Sequence, residues 1–345
     1  GMDAQLNIGY GTMFAEGKGS WVIGYTGYTR EKIMHFEREV SKSTDRIGKV
    51  RPPWNVPGSS YDGLAAVGVW TQFIPGASIS NTATRFFYPA SGKETDTPSI
   101  NTTPIPRSLY LNYSQYSYGQ PRSWRANLFN HVEYELTPNL TVFGEASFYL
   151  SRSVTGRQPI TLSSSDSRVF LGLDNPFNPL GSRFYSPTGA PNADGTARLT
   201  GAPQQITIAS VLMWDDGNEK LTGRDFVYRF LGGFRGKIGR TSWNWETGLM
   251  AGGVYAADGI VNAIRDSYLR AAALRSDATA WNPFGWTFQV ANGAVVANQP
   301  YTNPESVQAT YRTAGMRYGH SKLASADFRV SGTVLNLWAG PIQAS

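Results

Sequence analysis

Hydrophobic and polar positions alternate along four widely separated stretches of the chain, most clearly from Arg122 to Gly156. The even positions Trp124, Ala126, Leu128, Val132, Tyr134 and Leu136 are apolar, with Asn130 the exception. The odd positions Ser123, Arg125, Asn127, His131, Glu133 and Glu135 are polar, with Phe129 the exception. Thr137-Pro138-Asn139 then reads as a tight turn, with Pro restricting φ. Beyond it Leu140, Val142, Ala146, Phe148 and Leu150 take one side, and Thr141, Glu145, Ser147 and Ser151 the other. A period of two on both sides of a short turn predicts a β-hairpin. Its arms run about fifteen residues, whereas strands of globular proteins usually span about 3–10. One face suits lipid and the other water, as in the wall of a transmembrane β-barrel.

The same signature recurs near 5–36, 222–256 and 322–345. In the first of these, Leu6, Ile8 and Tyr10 precede a turn at Glu16–Gly19, and Trp21, Ile23 and Tyr25 follow it, with the second arm continuing to about Phe36. In the next, Phe226, Tyr228, Phe230, Phe234 and Ile238 oppose Arg229, Arg235 and Lys237. Gly239-Arg240-Thr241 turns the chain, and Trp243, Trp245, Leu249, Ala251 and Tyr255 resume the apolar row. In the last, Ala324, Ala326, Phe328, Val330 and Val334 alternate with Ser325, Asp327, Arg329 and Thr333 before a turn at Trp338–Pro341. Three long tracts, 37–121, 157–221 and 257–321, separate the hairpins and read mostly as loop. Strands are expected within them at Leu109–Tyr118 and Gln205–Trp214. Ile260, Ile264, Tyr268, Ala271 and Leu274 have helical spacing and predict a short amphipathic helix.

Short turns thus alternate with long loops along about eight strands, the asymmetry of outer-membrane barrels. Loops of that length count against a compact soluble domain. The expected fold is all-β: an antiparallel transmembrane β-barrel segment, residues 1–345, with short periplasmic turns and long extracellular loops. A narrow eight-strand closure would crowd the polar-face charges, so an arc of a larger barrel is expected. Trp21, Trp243 and Trp338 sit beside the short turns, where interfacial rings belong. The alternative is a soluble β-sandwich whose aromatic rows meet a second layer of the same chain.

Composition narrows this picture. Charged residues make up 16%, beside 37 Gly, 18 Tyr, 17 Phe and 10 Trp. Mean hydropathy is −0.32, and no run approaches the about 18 apolar residues of a membrane helix. The net charge is +6, but Lys and Arg are scattered, so nucleic acid is not expected as a partner. The absence of cysteine fits an oxidising compartment without requiring one. Gly1-Met2-Asp3-Ala4 lacks the basic and apolar regions of a signal peptide, so an exported protein would be a fragment or a processed product.

Candidate chemistry is sparse. His35, His131 and His320 have no metal-ligand spacing, and neither a nucleophile elbow nor a phosphate loop is present. No enzymatic activity, metal or cofactor is expected. Glu133 and Glu145 are placed to face each other across the hairpin, either as a carboxylate pair or as part of a hydrated polar row. Arg125, Glu133, Glu145, Arg229, Arg235, Asp327 and Arg329 share the polar face. They read either as a ladder of ion pairs or as the lining of a ligand path. Phe177, Trp281 and Phe284, in two Asn-Pro-Phe elements, either fix turns or face an extracellular ligand mouth.

These residues carry a family resemblance. Asn175-Pro176-Phe177-Asn178-Pro179-Leu180-Gly181 resembles loop motifs of TonB-dependent outer-membrane receptors, and Trp281-Asn282-Pro283-Phe284-Gly285 repeats the element. Val132–Leu136 with Val142–Glu145, Gly236–Ile238 with Trp243–Glu246, and Val330–Gly332 with Ala339–Pro341 are similar to barrel hairpins of that family. The resemblance implies a barrel of about 22 strands, an N-terminal plug and a segment that contacts TonB. The plug and that segment lie outside this chain, whose strands correspond to roughly the second to ninth of such a barrel. The implied location is the outer membrane of a Gram-negative cell, with membrane lipid, TonB and an imported ligand as partners. The implied function is active uptake of a ferric siderophore, cobalamin or oligosaccharide. On the ligand-path reading of the polar face and of the two Asn-Pro-Phe loops, the expected ligand-binding residues are Phe177, Trp281, Phe284, Arg125, Arg229, Arg235 and Arg329. A passive porin and a soluble adhesin or lectin are the alternatives.

Overall fold

A computed structural model of the chain describes residues 2–64, 70–76, 83–163 and 169–345. Eight strands form one antiparallel sheet in which each pairs with its neighbours in sequence. They are β1 (Asp3–Phe14), β2 (Gly19–Arg30), β3 (Arg122–Thr137), β4 (Leu140–Gly156), β5 (Lys220–Lys237), β6 (Asn244–Ile264), β7 (Arg312–Leu337) and β8 (Gly340–Ala344). The β3–β4 turn falls where the sequence places it, and the Asn139 amide donates to the Thr137 hydroxyl at 3.4 Å. Ala15, Glu16 and Gly17 all take positive φ in the β1–β2 turn, a geometry that matches the right-handed twist of the flanking strands.

Register carries the alternation across the whole sheet, because directly paired residues share a face. Leu128 pairs with Phe148 and Phe148 with Tyr228. Further along, Leu249 pairs with Ala326 and Thr247 with Phe328. The apolar rows therefore form one continuous surface from Leu6 to Phe328. Nothing among the described residues covers it: Ile8 is 56% exposed, Leu249 68% and Phe328 67%. The second layer that a sandwich requires is absent among the described residues. The fold is all-β, its large sheet antiparallel throughout and only the short Tyr185–Ser186 and Leu199–Thr200 pair parallel among the described residues, and no described helix is long and apolar enough to cross a membrane.

Among the described residues the sheet is open: β1 pairs only with β2, and β8 only with β7. Residues 312–331 of β7 pair with β6 alone, leaving a long row of backbone donors and acceptors on the other side. Inside the sheet, Gly233 of β5 permits a close approach. A Cβ there would run into the Thr247 carbonyl oxygen and lie 2.7 Å from the Phe143 ring. Gly233→Ala should therefore lower stability by about 1–3 kcal/mol through overpacking. Gly24→Ala, which meets no atom within 4 Å, should change the unfolding midpoint far less.

The three long tracts differ from the loops expected of them. They fold together into a cap at the end of the sheet opposite the short turns. Its main sheet runs in the order Thr161–Ser163, Ile206–Leu212, Gln72–Pro75, Arg85–Tyr88 and Ser99–Asn101, with Val169–Leu171 also on the Ile206–Leu212 strand. One core draws on all three tracts: Phe73 and Phe87 from the first, Leu171, Phe184 and Ile208 from the second, Leu269, Trp281 and Phe284 from the third. Burial of these side chains, at about 1.5–3 kcal/mol each, is what a polar, Pro-rich composition conceals.

Local corrections follow the same logic. Ile206–Leu212 is a strand within the expected span, but Leu109–Tyr118 is not one. It forms 3-10 turns at Arg107–Leu109 and Tyr113–Gln115, the second capped by the Asn112 side chain accepting from the Ser114 amide. Such local side-chain bonds compete with a strand ladder. β2 ends at Arg30 rather than near Phe36, and Ile33–Met34 instead pairs with Tyr118–Gln120. The expected helix is present as α1 (Asp266–Leu274), but its face is rotated. Ile260 and Ile264 belong to β6, Leu269, Ala272 and Ala273 are buried, and Tyr268 and Leu274 are exposed. The apparent fourfold spacing spanned a strand–helix junction.

Candidate functional site

Five side chains on the polar face of the sheet form one connected group. His131 lies between Glu133 (Nε2 to Oε1, 3.0 Å) and Glu145 (Nδ1 to Oε1, 3.4 Å). Arg235 donates to Glu133 at 2.5 Å, and Arg229 to Glu145 at 3.2 Å. The result is a five-member chain across β3, β4 and β5. Glu133 and Glu145 thus do not face each other as the hairpin suggested. Glu133 is opposite Phe143, and His131 is opposite Glu145. The two-residue offset follows from register, and it puts an imidazole where a carboxylate pair was expected.

The other two arginines of the predicted path stand differently. Arg329 is opposite Glu246, itself opposite Arg235, so charge alternates across β5, β6 and β7. Arg125 lies nearer the cap, over the Tyr28 ring at 5.8 Å. Arg229, Arg235 and Arg329 therefore share one region and Arg125 does not. These pairs are part-exposed, and each contributes about 0–1 kcal/mol to stability.

Phe177, Trp281 and Phe284 are buried in the cap rather than displayed at its surface. Asparagine geometry explains why. The Asn175 side chain accepts from the Phe177 amide and donates to the Ala273 and Trp281 carbonyls. Asn282 accepts from the Phe284 amide at 2.8 Å and donates to the Trp286 carbonyl at 2.9 Å. Each Asn-Pro-Phe element is thus an Asx turn that drives its ring inward. Phe284 meets Phe73 and Phe87 edge-on, both at 5.5 Å, and Phe177 packs on Tyr301 at 4.7 Å.

Beside that core lies a cavity of about 460 Å³, within the about 300–1,000 Å³ typical of small-ligand sites. Trp281 and Phe284 line it, together with Trp70, Tyr116, Trp214, Asp216 and Tyr311. Trp214, 42% exposed, meets Tyr116 edge-on at 5.7 Å. Asn303 ties the far wall together, donating to Asp215 Oδ2 at 2.7 Å and to the Asn282 carbonyl at 2.8 Å. Sequence reasoning missed Trp70, Trp214, Asp216 and Tyr311, which come from all three tracts. The Trp214-Asp215-Asp216 triplet, two acids after a tryptophan at a strand end, was the available signal.

Asp216 is the most perturbed acid of the cavity. Burial pushes its carboxyl up to about 6, against the opposing pull of Arg312, whose Nε donates to Oδ1 at 3.3 Å. Arg312 is held in turn by Glu305 at 3.0 Å and by Gln308. Burial, followed by the charge of Asp216, raises the Tyr311 hydroxyl as well. The folded state thus binds the Asp216 proton more tightly than the unfolded chain, where the ordinary value is 3.8. This contribution to stability is full below that ordinary value and is lost as pH rises through the folded value. Asp216→Asn should flatten that limb of a thermal-unfolding series between pH 4 and 7, a change of about 2–3 kcal/mol.

Compared with protein-family models, with curated proteins and with solved structures, the chain finds no match.

Proposed function

We propose that this chain forms wall and cap of an outer-membrane β-barrel receptor of the TonB-dependent type, which captures a scarce ligand for uptake. One observation carries the reading: long strands bear an uncovered apolar face backed by a charged, hydrogen-bonded one. In water such a surface is a liability; against hydrocarbon it is the stable arrangement. Lipid cannot satisfy free backbone groups, so in a membrane the open edges at β1 and β7 require further strands. The polar face then lines an aqueous bore, and the chain of Arg235, Glu133, His131, Glu145 and Arg229 hydrates it. The cap holds the ligand cavity on the side away from the short turns. Uptake would depend on a plug and on TonB, supplied by regions beyond this sheet.

Reconstitution tests the membrane part. Protein refolded into phosphatidylcholine vesicles should show Trp fluorescence quenched by brominated acyl chains, with Trp21, Trp124 and Trp245 as the contributing rings. A protein that remains monodisperse in buffer and gives no quenching would favour the soluble adhesin. Energy-independent ion conductance would favour a porin.

A further inference from the structure

We infer that the cap-side rim of the apolar face binds a phosphate-bearing lipid headgroup through Arg152 and Arg224; this rests on the membrane reading, which by itself requires only hydrocarbon against that face. The first support is segregation by sign. Of Asp, Glu, Lys, Arg and His, the apolar face of β1 to β7 carries Arg122, Arg152, Lys220, Arg224, His320 and Lys322, all in the cap-side half. Arg312, at the start of β7, turns into the cap toward Asp216. Every Asp and Glu of those strands lies on the polar face. Cost alone would give the opposite result, because Arg and Lys facing lipid are more expensive than Asp and Glu. A uniform positive sign fits negative surroundings, and basic clusters at a membrane surface attract anionic lipids.

The second support is an arginine pair without a counter-charge. Arg152 and Arg224 are directly opposite on β4 and β5, where like charges repel. Both are exposed, and neither has a hydrogen bond or ion pair among the described residues. Arg122, by contrast, reaches Glu31 beyond the end of β2 at 3.7 Å. An anion between the two guanidinium groups removes the repulsion, and phosphate oxygens match the guanidinium fork. The pair shares a row with Trp124 and Tyr318, and the next row toward the short turns holds Leu150, Phe226 and Tyr255. Charge followed by apolar surface is the order of a lipid, headgroup above acyl chain. Depth agrees. Trp124 and Val132, the partner of Trp21, are about 27 Å apart along β3 at about 3.4 Å per residue, close to the about 25 Å of a barrel's apolar band. Rings at both limits suit the two interfaces, and the arginine pair is level with the ring on the cap side. Side chains that only snorkel to water need neither a shared sign nor direct opposition.

The test uses the protein refolded into phosphatidylcholine vesicles that contain a minor fraction of either brominated phosphatidylcholine or brominated phosphatidic acid. The share of Trp124 in the quenching is read in each background as the difference that Trp124→Phe makes. Phosphatidic acid should quench that share at least threefold more efficiently than phosphatidylcholine at equal fraction. Arg152→Gln combined with Arg224→Gln should abolish the preference. Arg152→Gln alone, which relieves the like-charge contact and leaves one guanidinium, should reduce it without loss of the folded sheet. Arg240→Gln, between β5 and β6 at the opposite end, should preserve it. Far-UV circular dichroism of each variant establishes that the strands have formed. The inference is overturned if the two brominated lipids quench Trp124 equally in the parent, or if the folded arginine variants keep the full preference. It is also overturned if millimolar inorganic phosphate at matched ionic strength abolishes the preference, which would make this a site for a free anion. Quenching by neither lipid removes the membrane reading and this inference with it, whereas equal quenching removes the headgroup assignment alone.

Discussion

Trp281→Ala should unfold the cap while leaving the eight-strand sheet paired. Trp281 is 1% exposed and the largest fully buried side chain among the described residues. It packs in a core to which all three long tracts contribute. Truncating a buried tryptophan costs about 3–5 kcal/mol, from lost transfer energy and the cavity left behind. A cap with marginal stability of its own would not survive that loss. The hairpins, by contrast, are held by their own ladders, such as the unbroken register of β5 with β6 from Lys220 to Lys237. Limited proteolysis should therefore cut the variant within 157–219 and 265–311 and spare β3 to β6. Full protease resistance of the cap would show that its core tolerates the hole. Trp214→Ala removes a ring already half in solvent, so its stability should change by less than about 1 kcal/mol.

The second large effect concerns two adjacent positions on β5. Phe230 lies on the apolar face, opposite Ala146 and Ala251; Leu231 lies on the polar face, opposite Glu145 and Met250. The two share one depth and differ in what they meet. If the apolar face contacts hydrocarbon, Phe230→Arg should cost insertion about 2–4 kcal/mol, as for an arginine facing lipid near the bilayer midplane. Leu231→Arg gains a carboxylate neighbour and water, and should cost about 1 kcal/mol or less. Urea titration of vesicle-inserted protein measures both. Equal losses would mean that the two faces have the same surroundings, which ends the membrane reading.

The sheet was legible in the sequence because its physics is local. A period of two needs only neighbouring residues, so Leu128 and Arg125, or Phe230 and Arg229, declare their faces without knowledge of any partner. The turns at residues 138 and 339 were legible for the same reason. The cap was not. Its strands are 2–7 residues long, too short for a periodic signal, and their apolar faces are completed by residues far away in sequence. The Thr71 hydroxyl, for instance, donates to the Pro283 carbonyl, 212 positions away. Glu133 and Glu145 were assigned to the right face, but their separation depends on register, which alternation alone leaves undetermined. The residues around the cavity were invisible for a further reason: Trp70, Asp216 and Tyr311 carry no shared motif, and only the folded cap brings them together.

The joint construction of the cap sets an order of events during synthesis. Each hairpin of the sheet closes from residues that emerge together, and such short-range closure is fast. Phe73 and Phe87, however, find Phe284 only after about two hundred further residues have been made. Until then the first tract must travel with greasy rings unsheltered. A nascent chain in that condition invites association with its neighbours. Escort by a holding chaperone would be most needed in the interval before the third tract appears, and the cap's assembly, rather than strand pairing, would pace maturation.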